Sequence, residues 1–141
     1  MDANDVALIR VSFAKVAPIA EDAAAMFYAR LFETAPEVKP LFKGDMKAQG
    51  KKLMGALYTV VEQADRPDNL VPVLQAMGRR HADYGVTPAH YAPVGAALLW
   101  TLEKGLGVSF TPDVEAAWAK AYQTVSEIMI QAAAPELDEA S

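Results

Sequence analysis

Between Leu70 and Tyr84 the sequence sets Leu70, Leu74, Met77, His81 and Tyr84 in steps of four, three, four and three. That is the spacing of one face of an α-helix. It predicts a helix buried along one stripe, and it places an imidazole on that stripe. A buried polar nitrogen without a partner costs free energy, and the neighbours one turn away, Met77 and Tyr84, do not obviously supply one. Either the fold brings a partner from elsewhere, or a group that is not protein binds this nitrogen.

The same period runs through the rest of the chain, punctuated by Pro and Gly. Asn4 is the expected N-cap of a first helix with Val6, Ile9, Phe13 and Val16 on its stripe. Pro18 is expected to start a second, carrying Ala20, Ala24, Phe27, Tyr28, Leu31 and Phe32. Pro36 begins a short segment ending at Leu41 and Phe42, and Lys43-Gly44-Asp45 reads as a loop. A helix from about Met46 to Ala64 follows, with Gln49, Leu53, Ala56, Leu57 and Val60 on one face. Arg66-Pro67-Asp68-Asn69 breaks the chain before the helix of His81, and Gly85 after Tyr84 is the expected C-terminal cap. Thr87-Pro88 and Thr111-Pro112 each set a hydroxyl before a first-turn proline, opening helices of about 88–105 and 112–134. Alternating β-branched runs are absent. The expected class is all-α, one domain over 1–141 with a short acidic tail after about 134.

Composition narrows the function. A chain of 141 residues is one ordinary domain, burying roughly 70% of its unfolded surface. The formal charge of −5 argues against a nucleic-acid binder, which carries a basic face. No cysteine is present, which removes disulfides, thiol catalysis and cysteine-held zinc or iron–sulfur centres. Met1-Asp2-Ala3-Asn4-Asp5 lacks the features of a secretory signal. No apolar run approaches the ~20 residues of a membrane span, so no membrane partner and a cytoplasmic location are expected.

Three helices share an oddity. Tyr28 lies on the face of Ala24, Phe27 and Leu31; Gln49 lies with Leu53 and Leu57; His81 lies with Leu74 and Met77. Singly, each has an ordinary explanation as a core residue with its polar atom paired, or, for Gln49, as the edge of a stripe. Together they suit a pocket in which a few polar groups orient a bound molecule among apolar walls. Protein-only zinc is not supported, because His81 and His90 are the only histidines and the acids lie mostly on polar faces. His90, in the first turn after Pro88, is expected to be exposed. Ser12, Ser109 and Ser126 have no nucleophile-elbow context, and no strand precedes a glycine-rich loop.

Six fragments then fall in a known order. They are Phe27-Tyr28-Ala29-Arg30-Leu31-Phe32; Pro36 to Phe42; Gln49 with Leu53; Arg79-Arg80-His81-Ala82-Asp83-Tyr84-Gly85-Val86; His90-Tyr91-Ala92-Pro93-Val94-Gly95; and Ala117-Trp118-Ala119-Lys120-Ala121-Tyr122. As a set they resemble the bacterial single-domain haemoglobins and the globin domain of flavohaemoglobins, over about residues 4–134. The resemblance implies a globin fold whose helices enclose haem b (iron protoporphyrin IX). It implies His81 as the iron ligand, with Tyr28 and Gln49 as hydrogen-bond donors to a bound gas and Tyr91 as support on the histidine side. Phe42, Leu53, Leu57, Tyr84, Val94 and Tyr122 are the implied cofactor contacts, and Lys52 and Arg80 reach the propionates by analogy.

The resemblance therefore implies reversible binding of dioxygen for storage or transport, with NO and CO as further ligands. The alternative is a nitric oxide dioxygenase or other haem redox enzyme served by a separate reductase, since the sequence stops where a reductase module would begin in flavohaemoglobins. Those relatives link the histidine to a tyrosine and a glutamate. Counting along the last helix from Trp118, the glutamate position is Ala133 here, with Glu127 six residues earlier and Glu136 three later. The triad looks incomplete. Monomer and homodimer both remain open.

Overall fold

A computed structural model describes residues 2–134. Within them the chain forms six α-helices joined by short 3-10 turns, with no strand. They are α1 (Ala3–Val16), α2 (Ala20–Thr34), α3 (Met46–Glu62), α4 (Pro67–Asp83), α5 (Tyr91–Leu106) and α6 (Pro112–Ala133). The expected acidic tail after about 134 lies outside the described residues.

Most boundaries follow the punctuation, and three expectations are corrected. The first helix is capped by Asp2, not Asn4. Asp2 Oδ1 accepts the Asp5 amide at 2.8 Å while Asp5 Oδ2 accepts the Asp2 amide at 3.3 Å. This reciprocal box satisfies two free amides and sets carboxylates at the positive end of the helix. Pro18 does not open α2; it lies in a 3-10 turn, Ala17–Ile19, and α2 begins at Ala20. Pro88–His90 is likewise a 3-10 turn before α5, and His90 is half-buried, its Nδ1 accepting the Thr87 amide at 3.0 Å. A side chain that pairs with a free amide at the head of a helix is drawn in against the backbone, which is why His90 is not the exposed residue its position suggested.

The apolar side chains gather in two clusters. The larger unites Ile9, Phe13, Phe27, Leu31, Leu102 and Trp118 from α1, α2, α5 and α6. Trp118 Nε1 donates to Ser12 Oγ at 2.8 Å, so the buried indole of α6 is satisfied from α1. Arg10 closes the other side of α1, donating to the Val61 and Glu62 carbonyls at the end of α3 at 3.2 and 3.0 Å; a cation there suits the negative end of the helix. The smaller cluster is Leu70 and Leu74 of α4 with Met129 of α6, joined by Met77, Tyr91, Val125 and Ile128. Its closeness depends on Gly78, where any Cβ would collide with the Met129 backbone carbonyl. Helix α4 is therefore held chiefly against α6, and the margins of the two clusters carry the site.

Candidate haem-binding site

His81 sits in the last turn of α4, half-buried, beyond Met77 at the edge of the smaller cluster. Its Nδ1 lies 2.8 Å from the Met77 carbonyl oxygen. A carbonyl only accepts, so Nδ1 is the donor, and in the neutral ring Nε2 carries the lone pair. The backbone beneath the ring is also fixed. Gly85, at φ +99°, turns the chain so that the Val86 amide returns to the His81 carbonyl at 3.0 Å. One ring nitrogen is thus paired from within the helix, and Nε2 has no hydrogen-bond partner among the described residues.

Tyr91 opens α5 and packs into the cluster that contains Met77; burial pushes its hydroxyl pKa up. Its carbonyl accepts the Tyr122 hydroxyl at 2.6 Å. The Tyr122 ring lies over Gly95, where a Cβ would stand 2.6 Å from the ring carbon Cε2. Burial, and then the nearby Tyr91, push the Tyr122 hydroxyl pKa up. Position 133 is alanine, the last residue of α6. Glu127 is exposed and accepts from Gln123 Nε2 at 3.3 Å, and Glu136 lies outside the described residues.

On the α2–α3 side, Tyr28 is buried in an aromatic group. Its ring meets Phe27 at 5.0 Å and Phe42 at 5.2 Å edge-on, and stacks on Phe32 at 5.9 Å. Burial pushes its hydroxyl pKa up to about 12, so it stays a neutral donor near neutral pH. That donor points at α3, giving its proton to the Gln49 carbonyl at 3.2 Å. The approach is close because Gly50 faces Ala24, whose Cβ would lie 3.0 Å from a Cβ at Gly50. Gln49 turns the other way, its Nε2 donating to the Lys43 carbonyl at 3.0 Å. Tyr28 and Gln49 are brought together through the glutamine backbone, with the Gln49 side-chain amide committed to the loop.

Phe42, Leu53, Leu57 and Val94 are half-buried along the margin of the larger cluster. Lys52 on α3 and Arg80 on α4 are exposed. Tyr84 departs from the stripe predicted for it: α4 ends at Asp83, and Tyr84 is its C-cap residue with 66% of its surface exposed. Once the helix stops, four-and-three arithmetic no longer fixes where a side chain points. Sequence reasoning missed the Met77 carbonyl and the Tyr122 clamp. The first was legible, since a helical histidine always has a carbonyl four residues back; the second crosses 31 residues and had no local signal.

The donor set fits haem. A half-buried imidazole offers an Nε2 lone pair, apolar margins from α3 and α5 can cover a flat ring, and exposed cations stand on α3 and α4. Among the described residues no group of three or more His, Cys, Asp or Glu could hold a bare metal ion. The fold is all-α, and His81 offers a ring nitrogen from the last turn of α4. The globin family profile matches residues 25–129, and the chain belongs to that family. It is 29% identical over 133 residues to a flavohemoprotein of Bacillus subtilis, covering 92% of this chain and 33% of that one. It is 33% identical over 106 residues to a flavohemoprotein of Rhizobium meliloti, covering 73% and 26%. The chain thus spans about a third or less of these curated relatives. Among solved structures it is similar to an engineered carbene transferase built on a nitric oxide dioxygenase candidate from Rhodothermus marinus, with a TM-score of 0.86 and 26% identity over 99% of this chain and 97% of that one.

Proposed function

We propose that this globin binds haem b through His81 and carries dioxygen reversibly. The observation that supports this best is the pairing of a tautomer-locked imidazole, Nδ1 on Met77 and Nε2 free, with a buried neutral phenol at Tyr28. Haem, when bound, supplies the iron that takes a diatomic gas. His81 holds it, Phe42, Leu53, Leu57 and Val94 cover its faces, and Lys52 and Arg80 meet its carboxylates at the surface. Tyr91 supports the histidine side and Tyr122 fixes Tyr91.

Tyr28 gives one proton to a gas ligand, but that proton already serves the Gln49 carbonyl. Turning it exchanges one hydrogen bond for another, so the gain is a difference between two bonds each contributing about 0.5–1.5 kcal/mol. Firm but reversible holding follows. Gln49 adds a second donor when its amide leaves Lys43. Dioxygen, NO and CO all fit such a site, and the dipolar dioxygen gains most from a donor.

The second reading is nitric oxide dioxygenation fed by a separate reductase. It is favoured by Tyr91 on the histidine side and by the likeness to the nitric oxide dioxygenase candidate from Rhodothermus marinus. Ala133, where the flavohaemoglobin pattern has a carboxylate, weighs against it. Visible spectra of the reduced, haem-loaded protein in air separate the two. A spectrum of the gas-bound ferrous form stable for an hour is expected. Oxidation within seconds, together with sustained NO consumption when a reductase and reduced nicotinamide are added, would put the enzyme first. No stoichiometric haem uptake would overturn both.

A further inference from the structure

Charge is unevenly spread over this acidic chain. Five of its thirteen cationic residues, but one of its eighteen acids, fall within residues 39–52. Lys39, Lys43, Lys47, Lys51 and Lys52 are all exposed. Lys52 is the one proposed above to meet the cofactor's carboxylates; the other four are joined through the elements that bear them. Lys47 and Lys51 stand one turn apart on α3. Lys43 is tied to the first turn of α3 through its carbonyl and Gln49 Nε2 at 3.0 Å. Lys39 Nζ lies 6.0 Å from the Phe32 ring, which itself lies 5.5 Å from Phe42. Lys47 pairs with Glu21 at 3.4 Å; among the described residues Lys39, Lys43 and Lys51 have no ion-pair partner. Fixed charge of one sign, left unneutralised, steers a partner of opposite sign.

We infer that this lysine face is the docking surface for an acidic one-electron carrier protein, of the flavin or iron–sulfur kind. The inference rests on the haem reading above. Haem held there would need one electron returned to it after any one-electron oxidation, and the carrier would supply that electron and be oxidised by it, with no bond or proton moving. The face borders Phe42 and Gln49, so a carrier held there stands beside the proposed haem pocket. Electron carriers dock through small, polar, short-lived interfaces below about 1,200 Å², and this face has the same character. Its sole large apolar side chain counted as exposed is Met46, at 37%, too little to enter a membrane surface. Seventeen acids against eight cations in the remaining sequence repel an extended polyanion, whereas a compact protein meets the patch alone.

The test uses haem-loaded, isotope-labelled protein titrated with oxidised flavodoxin, read by amide chemical shifts at about 20 mM and about 300 mM salt, where the screening length falls from roughly 20 Å to below 8 Å. Shifts confined to residues 39–52 and their contacts, fading at the higher salt, are expected. The triple variant Lys39→Glu, Lys43→Glu, Lys51→Glu should lose them. It should also slow the second-order reduction of ferric protein by reduced flavodoxin about 10- to 100-fold at low salt, with haem uptake unchanged. Shifts centred on Arg79 and Arg80, no shifts at low salt, or a salt-independent rate would each overturn the inference. So would stronger binding of these lysines to phosphatidylglycerol vesicles or duplex DNA. Failure of the haem reading shows separately, as missing haem absorption.

Discussion

The two sides of the site are built differently. On the histidine side three contacts are made to backbone carbonyls at short range: His81 to Met77 at 2.8 Å, Tyr122 to Tyr91 at 2.6 Å, and the Val86 amide to the His81 carbonyl at 3.0 Å. Two glycines, Gly78 and Gly95, let α6 approach α4 and α5 more closely than any side chain permits. On the tyrosine side the donors hold each other in a chain, Tyr28 on the Gln49 carbonyl and Gln49 on the loop that contains Gly44 at φ +85°. The 3.0 Å bond of Gln49 ends on an exposed loop and can be exchanged at little cost, and the 3.2 Å bond of Tyr28 leans on that residue. The contrast assigns rigidity to the side proposed to hold the metal and adjustability to the side proposed to hold the gas.

His81→Ala should break the comparison most completely. It removes the one nitrogen offered from the rigid side, and stoichiometric haem coordination should be lost in the visible spectrum. An unchanged spectrum would mean another residue serves as ligand. Next comes Gly78→Ala, which probes packing alone. The new methyl meets the Met129 backbone, which cannot swing aside, so α4 and α6 must part. Overpacking of this kind costs about 1–3 kcal/mol, read as a lower urea midpoint at unchanged slope. A variant as stable as the parent would show that the rigid side yields.

Tyr28→Phe tests the adjustable side twice. Losing one neutral donor should speed dioxygen dissociation by up to about tenfold, by less if the exchange with Gln49 is nearly even. An unchanged rate would transfer the role to Gln49 or water. The same substitution should alter alkaline stability. The Tyr28 pKa is raised from 10.0 to about 12, so the folded state keeps a proton that the unfolded chain releases. That contribution is present in full below pH 10 and is lost as pH rises through about 12. It amounts to no more than about 2 kcal/mol after solvent screening. Thermal melts between these values should fall less steeply in the phenylalanine variant, and equal slopes would show that the hydroxyl is not held by burial.

What was legible in the sequence follows the same division. Helices with one apolar stripe are dictated by local spacing, and the Pro and Gly punctuation placed α3, α4 and α6 within a few residues. Local signals misled where two devices compete for one end. Asp2 displaced Asn4 because it could pair reciprocally with Asp5, and Pro18 and Pro88 fall in 3-10 turns because a proline fixes φ without deciding which carbonyl the next amide chooses. Tyr28, Gln49 and His81 were visible as polar residues on apolar faces. The direction of each polar atom was not, because it depends on carbonyls brought close by the Gly50–Ala24 crossing and by the helix's own turn. The resemblance marked Tyr122 as a cofactor contact, but its bond to the Tyr91 carbonyl gave no signal, since an aromatic residue on an apolar stripe reads as packing.

That clamp gives the smallest and most discriminating effect. Tyr122→Phe keeps the ring over Gly95 and removes only the bond to the Tyr91 carbonyl. If Tyr122 merely packs, stability should hardly change and the histidine side should look the same. If it fixes the first turn of α5, about 0.5–1.5 kcal/mol is lost, and the freed turn lets Tyr91 shift within the α4–α6 cluster that also contains Met77. Movement there reaches His81 through the Met77 carbonyl, so the iron–histidine stretching frequency of the reduced, haem-loaded protein should shift or broaden, while dioxygen dissociation, set on the other side, stays near the parent value. The opposite result, an altered dissociation rate with an unmoved iron–histidine signal, would show that the two sides are not independent and that the rigid half transmits strain through α5 to the gas.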